Sequence, residues 1–183
     1  MKRGLWIVTA IVVVGLITAS FFYLKPKKVT NTVDGIIYKL GEDDRSMEQP
    51  VTIHIDGELR KNLKGARTFT GYIDIEGDEL PVPDEYRSLK LKFRETGVAE
   101  MLYVYNENGT PKHYPYGSIY INKNFSRFTI MKNEITKTPS NQTVGSWSGE
   151  DGTMISAPAH TRVEALQITN ELMEEYSDGY VFK

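Results

Sequence analysis

The sequence predicts an α+β fold: a mostly antiparallel β meander with one C-terminal amphipathic helix, preceded by an N-terminal transmembrane helix. Three observations predict it. A charge-free apolar run occupies Gly4 to Leu24. Short segments of alternating apolar and polar residues then follow one another from Val51 to Lys132, and after Thr161 the apolar spacing changes from two to three and four.

The apolar run comes first. Between Arg3 and Lys25 no residue is charged, and at about 1.5 Å rise per residue such a length covers roughly 30 Å, the hydrocarbon thickness of a bilayer. Trp6 sits near one end and Phe21, Phe22 and Tyr23 at the other, where aromatic rings favour the headgroup level. Thr18-Ala19-Ser20 imitates a signal-peptide cleavage site poorly, because a bulky aromatic run follows it directly. The expectation is therefore a retained signal anchor of a single-pass membrane protein. A very short basic tail, Lys2-Arg3, leading into the run favours an extracytoplasmic C-terminal domain.

Lys25 to Asn31 reads as a polar tether (25–31), and 32–183 as a β-rich, water-soluble domain. Val51-Thr52-Ile53-His54-Ile55 alternates, Asp56-Gly57 supplies the pair favoured in a type I′ turn, and Glu58 to Leu63 reads as the returning strand. Thr68 to Ile75 puts Phe69, Gly71, Ile73 and Ile75 on one side, and Glu76-Gly77-Asp78 turns the chain. Leu80 to Arg87 is a proline-rich loop, and Leu89 to Phe93 alternates again. Strands are expected at Met101–Tyr105, Gly117–Asn122 and Phe125–Lys132, with turn chemistry at Asn106 to Gly109. Thr161-Arg162-Val163-Glu164 fits a capping box. The helix it opens carries Ala165, Leu166, Thr169, Leu172, Met173 and Tyr176 on one stripe and stops at Ser177-Asp178-Gly179.

Composition narrows the function classes. Formal charge is −2, and because Lys2, Arg3, Lys25, Lys27 and Lys28 flank the apolar run, the rest of the chain is acidic. That balance argues against a nucleic-acid partner, and no phosphate loop indicates a nucleotide. Cysteine is absent, which removes disulfides, thiolate metal sites and thiol catalysis. No cofactor is implied. His54, His113 and His160 lie far apart without ligand spacing, and Glu42-Asp43-Asp44 lacks the oxygen pattern of a calcium loop. Ser146, Ser148 and Ser156 have no nucleophile elbow around them.

The aromatic residues are the better lead. Tyr103, Tyr105, Tyr114, Tyr116 and Tyr120 cluster in sequence, and Trp147 sits in the long polar stretch from Thr136 to Gly152. Aromatic side chains dominate binding hot spots, and long ordered loops are often functional. Trp147, Tyr114 and Tyr116 are the candidate contact residues. The expected function is a non-catalytic binding or accessory module of the cell envelope, attached to the membrane via Gly4 to Leu24 and meeting an envelope protein or polymer. A membrane-anchored hydrolase and a small accessory subunit of a membrane complex, paired through Gly15 and Ala19, are the alternatives.

The short basic tail and apolar run, together with VTIHIDGELRKNLKG, FTGYIDIEG, YGSIYINKNFSRFTI and WSGEDGTMISAPA, resemble small membrane-anchored proteins of Gram-positive bacteria. The resemblance brings no activity and no site residues. It implies a bacterial cell-membrane address with the domain outside.

Overall fold

A computed structural model describes residues 13–15, 18, 23–41, 47–138 and 143–183. The described chain is mostly antiparallel strand. In order come β1 (Lys27–Lys39), β2 (Glu48–Lys61), β3 (Arg67–Ile75), a single 3-10 turn (Asp84–Tyr86), β4 (Leu89–Phe93), β5 (Val98–Glu107) and β6 (Thr110–Ile121). They are followed by β7 (Phe128–Lys132), β8 (Glu134–Lys137), β9 (Thr143–Ser146), β10 (Thr153–Ala157) and the helix α1 (Arg162–Ser177), while residues 13–15, 18, 23 and 24 are also helical.

The expected fold class is corrected here. Eight strands form one sheet in the order β4-β3-β2-β1-β10-β7-β6-β5, with β8 and β9 as a separate two-stranded sheet. The large sheet curls until its outer strands meet at the β4–β5 turn, where Arg94 N–H donates to Val98 O at 2.8 Å. The result is a nearly closed barrel with a helix on its outside, not an α+β meander. Among the described residues, no helix is long and apolar enough to cross a membrane. Of the transmembrane, single-pass helix expected over Gly4–Leu24, only residues 13–15, 18, 23 and 24 are among the described residues, and they form no membrane-spanning helix.

The reason for the closure is visible in β2. Asp56-Gly57 is not a turn: the strand runs straight through it, with Asp56 opposite Thr30 of β1 and Tyr72 of β3, and Gly57 opposite Val29 and Gly71. Glycine is needed at 57 for room. A Cβ there would fall 2.5 Å from Thr70 O and 2.7 Å from Cζ of Phe69, so the missing side chain lets the Phe69 ring fold across the bending sheet. The tight turn with both central residues at positive φ is Asn108-Gly109, between β5 and β6. Lys27 to Asn31, inside the segment expected as a tether, is strand paired with Leu59 to Ile55.

Alternation along these strands fills the barrel. Phe69, Ile73 and Ile75 of β3, and Leu89, Leu91 and Phe93 of β4, point inward with Ile53, Ile55, Met101, Ile119, Ile130 and Ile155. Two aromatic groups stopper the ends. At one, the rings of Phe69, Phe93 and Phe128 surround Phe125 edge-on, with centroids 5.1 to 6.1 Å away. At the other stand Tyr103, Tyr114 and Tyr116. A second core lies outside the sheet, where Ile36, Tyr38, Met154, Met131 and Tyr120 meet Ala165, Ile168 and Met173 of α1. The strands under the helix are therefore buried on both faces.

Local signals hold the helix. Thr161 Oγ1 accepts from Glu164 N–H, and the Glu164 carboxylate accepts from His160 N–H at 2.8 Å. Asp178, left-handed at φ 48, ends it. Its stripe includes one polar residue, Thr169. Between helix and sheet, Tyr38, Thr129, Ser156 and Thr169 are all fully buried and joined by their hydroxyls, at 2.6 Å for Tyr38–Thr169, 2.9 Å for both Thr129–Thr169 and Ser156–Thr169, and 2.8 Å for Thr129–Ser156. Because each hydroxyl both donates and accepts, four of them can satisfy one another without water. Burial raises the Tyr38 phenol pKa despite those bonds.

Two outcomes follow from this packing. Thr169→Val leaves the three other hydroxyls short of a partner, and stability should fall by about 1–3 kcal/mol, read as a lower guanidinium midpoint with unchanged slope. An unchanged midpoint would mean the network is not part of what holds α1 down. Gly57→Ala should cost a further independent amount, about 1–3 kcal/mol, by forcing its Cβ into Phe69; a melting temperature equal to that of the parent would contradict the close approach described for β2.

Candidate functional site

The segment between β9 and β10 is folded back on itself by Gly152 N–H donating to Ser148 O at 2.9 Å. Trp147 lies across this turn. Its indole N–H donates to Thr153 O at 3.2 Å, and its ring meets the edge of Phe182 with centroids 6.2 Å apart. Gly152 sits beneath the indole, since a Cβ there would lie 2.7 Å from Cε2. Trp147 is thus half-buried and held from three sides, and beside it opens a cleft of about 170 Å³ lined by Lys132, Glu134, Ser146, Ser148 and Asp151.

The expected contact residues part company at this point. Tyr116 is 2 % exposed and belongs to the barrel interior. Its hydroxyl donates to Asp78 Oδ2 at 2.5 Å, Asp78 Oδ1 accepts from Lys132 Nζ at 2.7 Å, and Lys132 in turn stands 5.8 Å from the Tyr116 ring centre. Tyr103 meets Tyr116 edge-on at 6.3 Å. Tyr114 is half-buried against the same core. Of the three candidates only Trp147 borders the cleft; Tyr116 reaches its wall through Asp78 and Lys132, and Tyr114 packs inward.

Why the tyrosines face in is a matter of register. Tyr103 is opposite Tyr114, and the pairing shifts between Met101 and Leu102, so that Gly117 and Pro115 face consecutive residues of β5 and Tyr116 is the extra one. The bulge tucks that ring over the barrel mouth. Burial raises the Tyr116 phenol pKa far above its ordinary value, helped by the charge of Asp78, and burial likewise raises Tyr103 and Tyr114.

Asp78 and Lys132 were not legible as a pair. They are 54 positions apart, one in a turn that glycine chemistry explains and one at the end of a strand. The paired strands β8 and β9, which overlap the expected loop from Thr136 to Gly152, lie along β6: Asn133 donates to Pro115 O at 2.9 Å and His113 Nε2 is 3.2 Å from Thr143 O.

The histidines stay apart. His54 Nε2 is 3.0 Å from Glu76 Oε1 and its Nδ1 is 3.0 Å from Thr32 Oγ1, across three neighbouring strands. The order hydroxyl–imidazole–carboxylate resembles a relay, but Thr32 and Glu76 are exposed to solvent and Thr32 sits directly opposite His54 in register, the ordinary place for a cross-strand polar pair. Hydrogen bonds from His54 and Thr52 lower the Glu76 pKa. A broad groove of about 560 Å³ runs past Asp34, Thr52, Glu76 and His160. Among the described residues, no group of three His, Asp or Glu is placed to hold a metal. Glu42-Asp43-Asp44 lies outside them.

No protein-family model matches this chain, and no curated protein and no solved structure matches it either.

The tyrosine shifts have a sign that can be tested. A phenol raised in the folded state contributes stability that is complete below the unfolded value, about pH 10, and is lost as pH rises through the folded value. The protein should therefore lose stability above about pH 10, with Tyr103 and Tyr116 forming phenolate only as the barrel opens. Phenolate absorbance followed alongside circular dichroism checks this: Tyr116→Phe should flatten the alkaline fall, and phenolate from these residues in a still-folded barrel would contradict their burial.

Proposed function

We propose that this barrel is a non-catalytic binding module of the cell envelope, and that it takes a hydroxyl-rich wall polymer at the cleft beside Trp147. The observation that carries the reading is the filled barrel. Aliphatic and aromatic side chains occupy the interior, and the space between Ile73, Met101, Tyr103 and Tyr116 at its mouth is too small for a water molecule. A ligand has to be met outside, and the Trp147 cleft combines an aromatic wall with convergent polar groups, the usual make-up of a small-ligand site.

Its chemistry favours a polymer of sugars. An indole offers a flat apolar surface to ring C–H groups, while Ser146 and Ser148 hydroxyls, the Lys132 ammonium and the carboxylates of Glu134 and Asp151 can exchange hydrogen bonds with hydroxyls around it. Lys132 is fixed by Asp78, so the wall is formed before a ligand arrives. The location that goes with this reading, the outer face of a cell membrane, rests on the sequence: the apolar run from Gly4 to Leu24, the basic residues on both sides of it, and the resemblance to membrane-anchored bacterial proteins.

Tryptophan emission tests the site. The chain has two tryptophans, Trp6 and Trp147, so Trp6→Phe in the full chain leaves Trp147 as the sole indole. Titration with soluble peptidoglycan fragments should shift its emission saturably, and Asp151→Asn should weaken the apparent affinity several-fold with an unchanged melting temperature. No shift at saturating fragment concentrations would remove the reading. Release of reducing ends during the titration would replace it with a hydrolase.

A further inference from the structure

The two ends of the barrel differ in charge. The tyrosine-stoppered end is mixed: Asp78, Asp84 and Glu107 pair with Lys132, Arg87 and Lys112, and Glu79 and Glu150 add exposed carboxylates. The phenylalanine-stoppered end carries Lys27, Lys28, Lys61, Lys64, Lys90 and Lys92, all exposed. Register places them on four adjoining strands: Lys27 and Lys28 stand opposite Leu59 and Glu58, Lys61 opposite Arg67, Lys90 opposite Thr70 and Lys92 opposite Thr68. Carboxylates stand among them: Glu58 binds Arg60 at 2.9 Å, Glu100 lies 3.8 Å from Arg94, and Glu95 is exposed in the β4–β5 turn, but the cationic groups outnumber them. A surplus of ammonium groups remains on a chain whose net charge is negative.

The same end carries an exposed leucine. The turn joining β2 to β3 puts Leu63, 75 % exposed, at its tip between Lys61 and Lys64. The turn is rigid: Asn62 Oδ1 accepts from the N–H groups of Lys64 and Ala66, both at 2.9 Å, and Gly65 N–H donates to Asn62 O at 3.0 Å. Leu63 is thus a single exposed apolar side chain on a preformed tip flanked by lysines. This is also the end at which β1 begins, two residues after Lys25, where the apolar run of the sequence stops.

We propose that the phenylalanine-stoppered end of the barrel docks on an anionic phospholipid surface, with the lysines of β1–β4 at the phosphates and Leu63 inserted among the headgroups. Each ammonium near such a surface adds attraction that falls off within a Debye length, and an apolar wedge adds burial that a soluble polyanion cannot supply. Docking in this orientation leaves the Trp147 cleft at the far end, turned away from the lipid. The inference does not depend on what that cleft binds.

The chain lacks cysteine, so single labels can be placed at will. The full chain, carrying a nitrobenzoxadiazole label through Ala66→Cys, is reconstituted in phosphatidylcholine vesicles with or without phosphatidylglycerol and with a headgroup spin-label quencher. Quenching should be several-fold greater in the anionic vesicles, reverse in concentrated salt, and be lost when Lys61→Glu, Lys64→Glu and Lys92→Glu are combined. Leu63→Ser should weaken it while leaving its lipid-charge dependence. A label on Glu107→Cys, at the opposite end, should be quenched little in either lipid. Equal quenching of the Ala66→Cys label in both lipids would mean proximity through chain connection alone and would overturn the docking. Equal quenching at the two ends would overturn the orientation. Neither result bears on the tryptophan titration.

Discussion

Everything in this molecule depends on β10 lying between β1 and β7. Without it, β1 to β4 and β5 to β7 are two open antiparallel ribbons joined by one turn; with it, Ile155 faces Ile37 on one side and Ile130 on the other, and the sheet becomes continuous. Five residues carry that junction, and alternation makes them serve two cores at once. Ile155 and Ala157 face the barrel, while Met154 and Ser156 face the helix. Burial on both faces explains why this strand reads as an apolar run without a polar side.

The hydroxyl network is the polar consequence of that junction. Ser156 is the outward residue of β10 beneath α1, and a buried hydroxyl there needs a partner or costs desolvation. Tyr38, Thr129 and Thr169 supply partners from three other elements, β1, β7 and α1. A network of this kind fixes one rotation of the helix on the sheet, because turning α1 by one residue would leave several hydroxyls unpaired together. Arg162 adds a second fixed point, donating to the carbonyls of Lys39 and Gly41 at 3.1 Å while standing 5.8 Å from the Tyr38 ring centre.

A filled barrel also orders the outer surface. Phenylalanines at one end and tyrosines at the other close the interior, and the tyrosines, needing a partner for their hydroxyls, draw in Asp78 and then Lys132. The cleft beside Trp147 therefore has one wall built by the core. The opposite end needs no polar partner for its rings, and its strand ends are free to carry lysines. The proposed binding cleft and the proposed lipid-facing end both rest on this one arrangement of side chains inside.

Much of the local structure was legible in the sequence because its causes are local. The alternation of Thr68 to Ile75 and Leu89 to Phe93, the Thr161–Glu164 cap, and the stop at Asp178-Gly179 depend on neighbours within a few residues. Asp56-Gly57 and the tyrosines did not obey local signals, for a physical reason. A glycine after aspartate satisfies a turn, but it also satisfies a place where Phe69 must cross the sheet, and only the partner strand tells which. A tyrosine in an alternating strand fixes which face it shares with its neighbours, not which face is inside. By itself the sequence determined that strands with a two-residue period and one capped helix would form, along with an acidic balance beyond its apolar run. Only the tertiary structure decided that the sheet closes, that Tyr114 and Tyr116 turn inward while Trp147 borders a cleft, and that the lysines of β1 to β4 collect at one end, because register joins residues the chain keeps far apart.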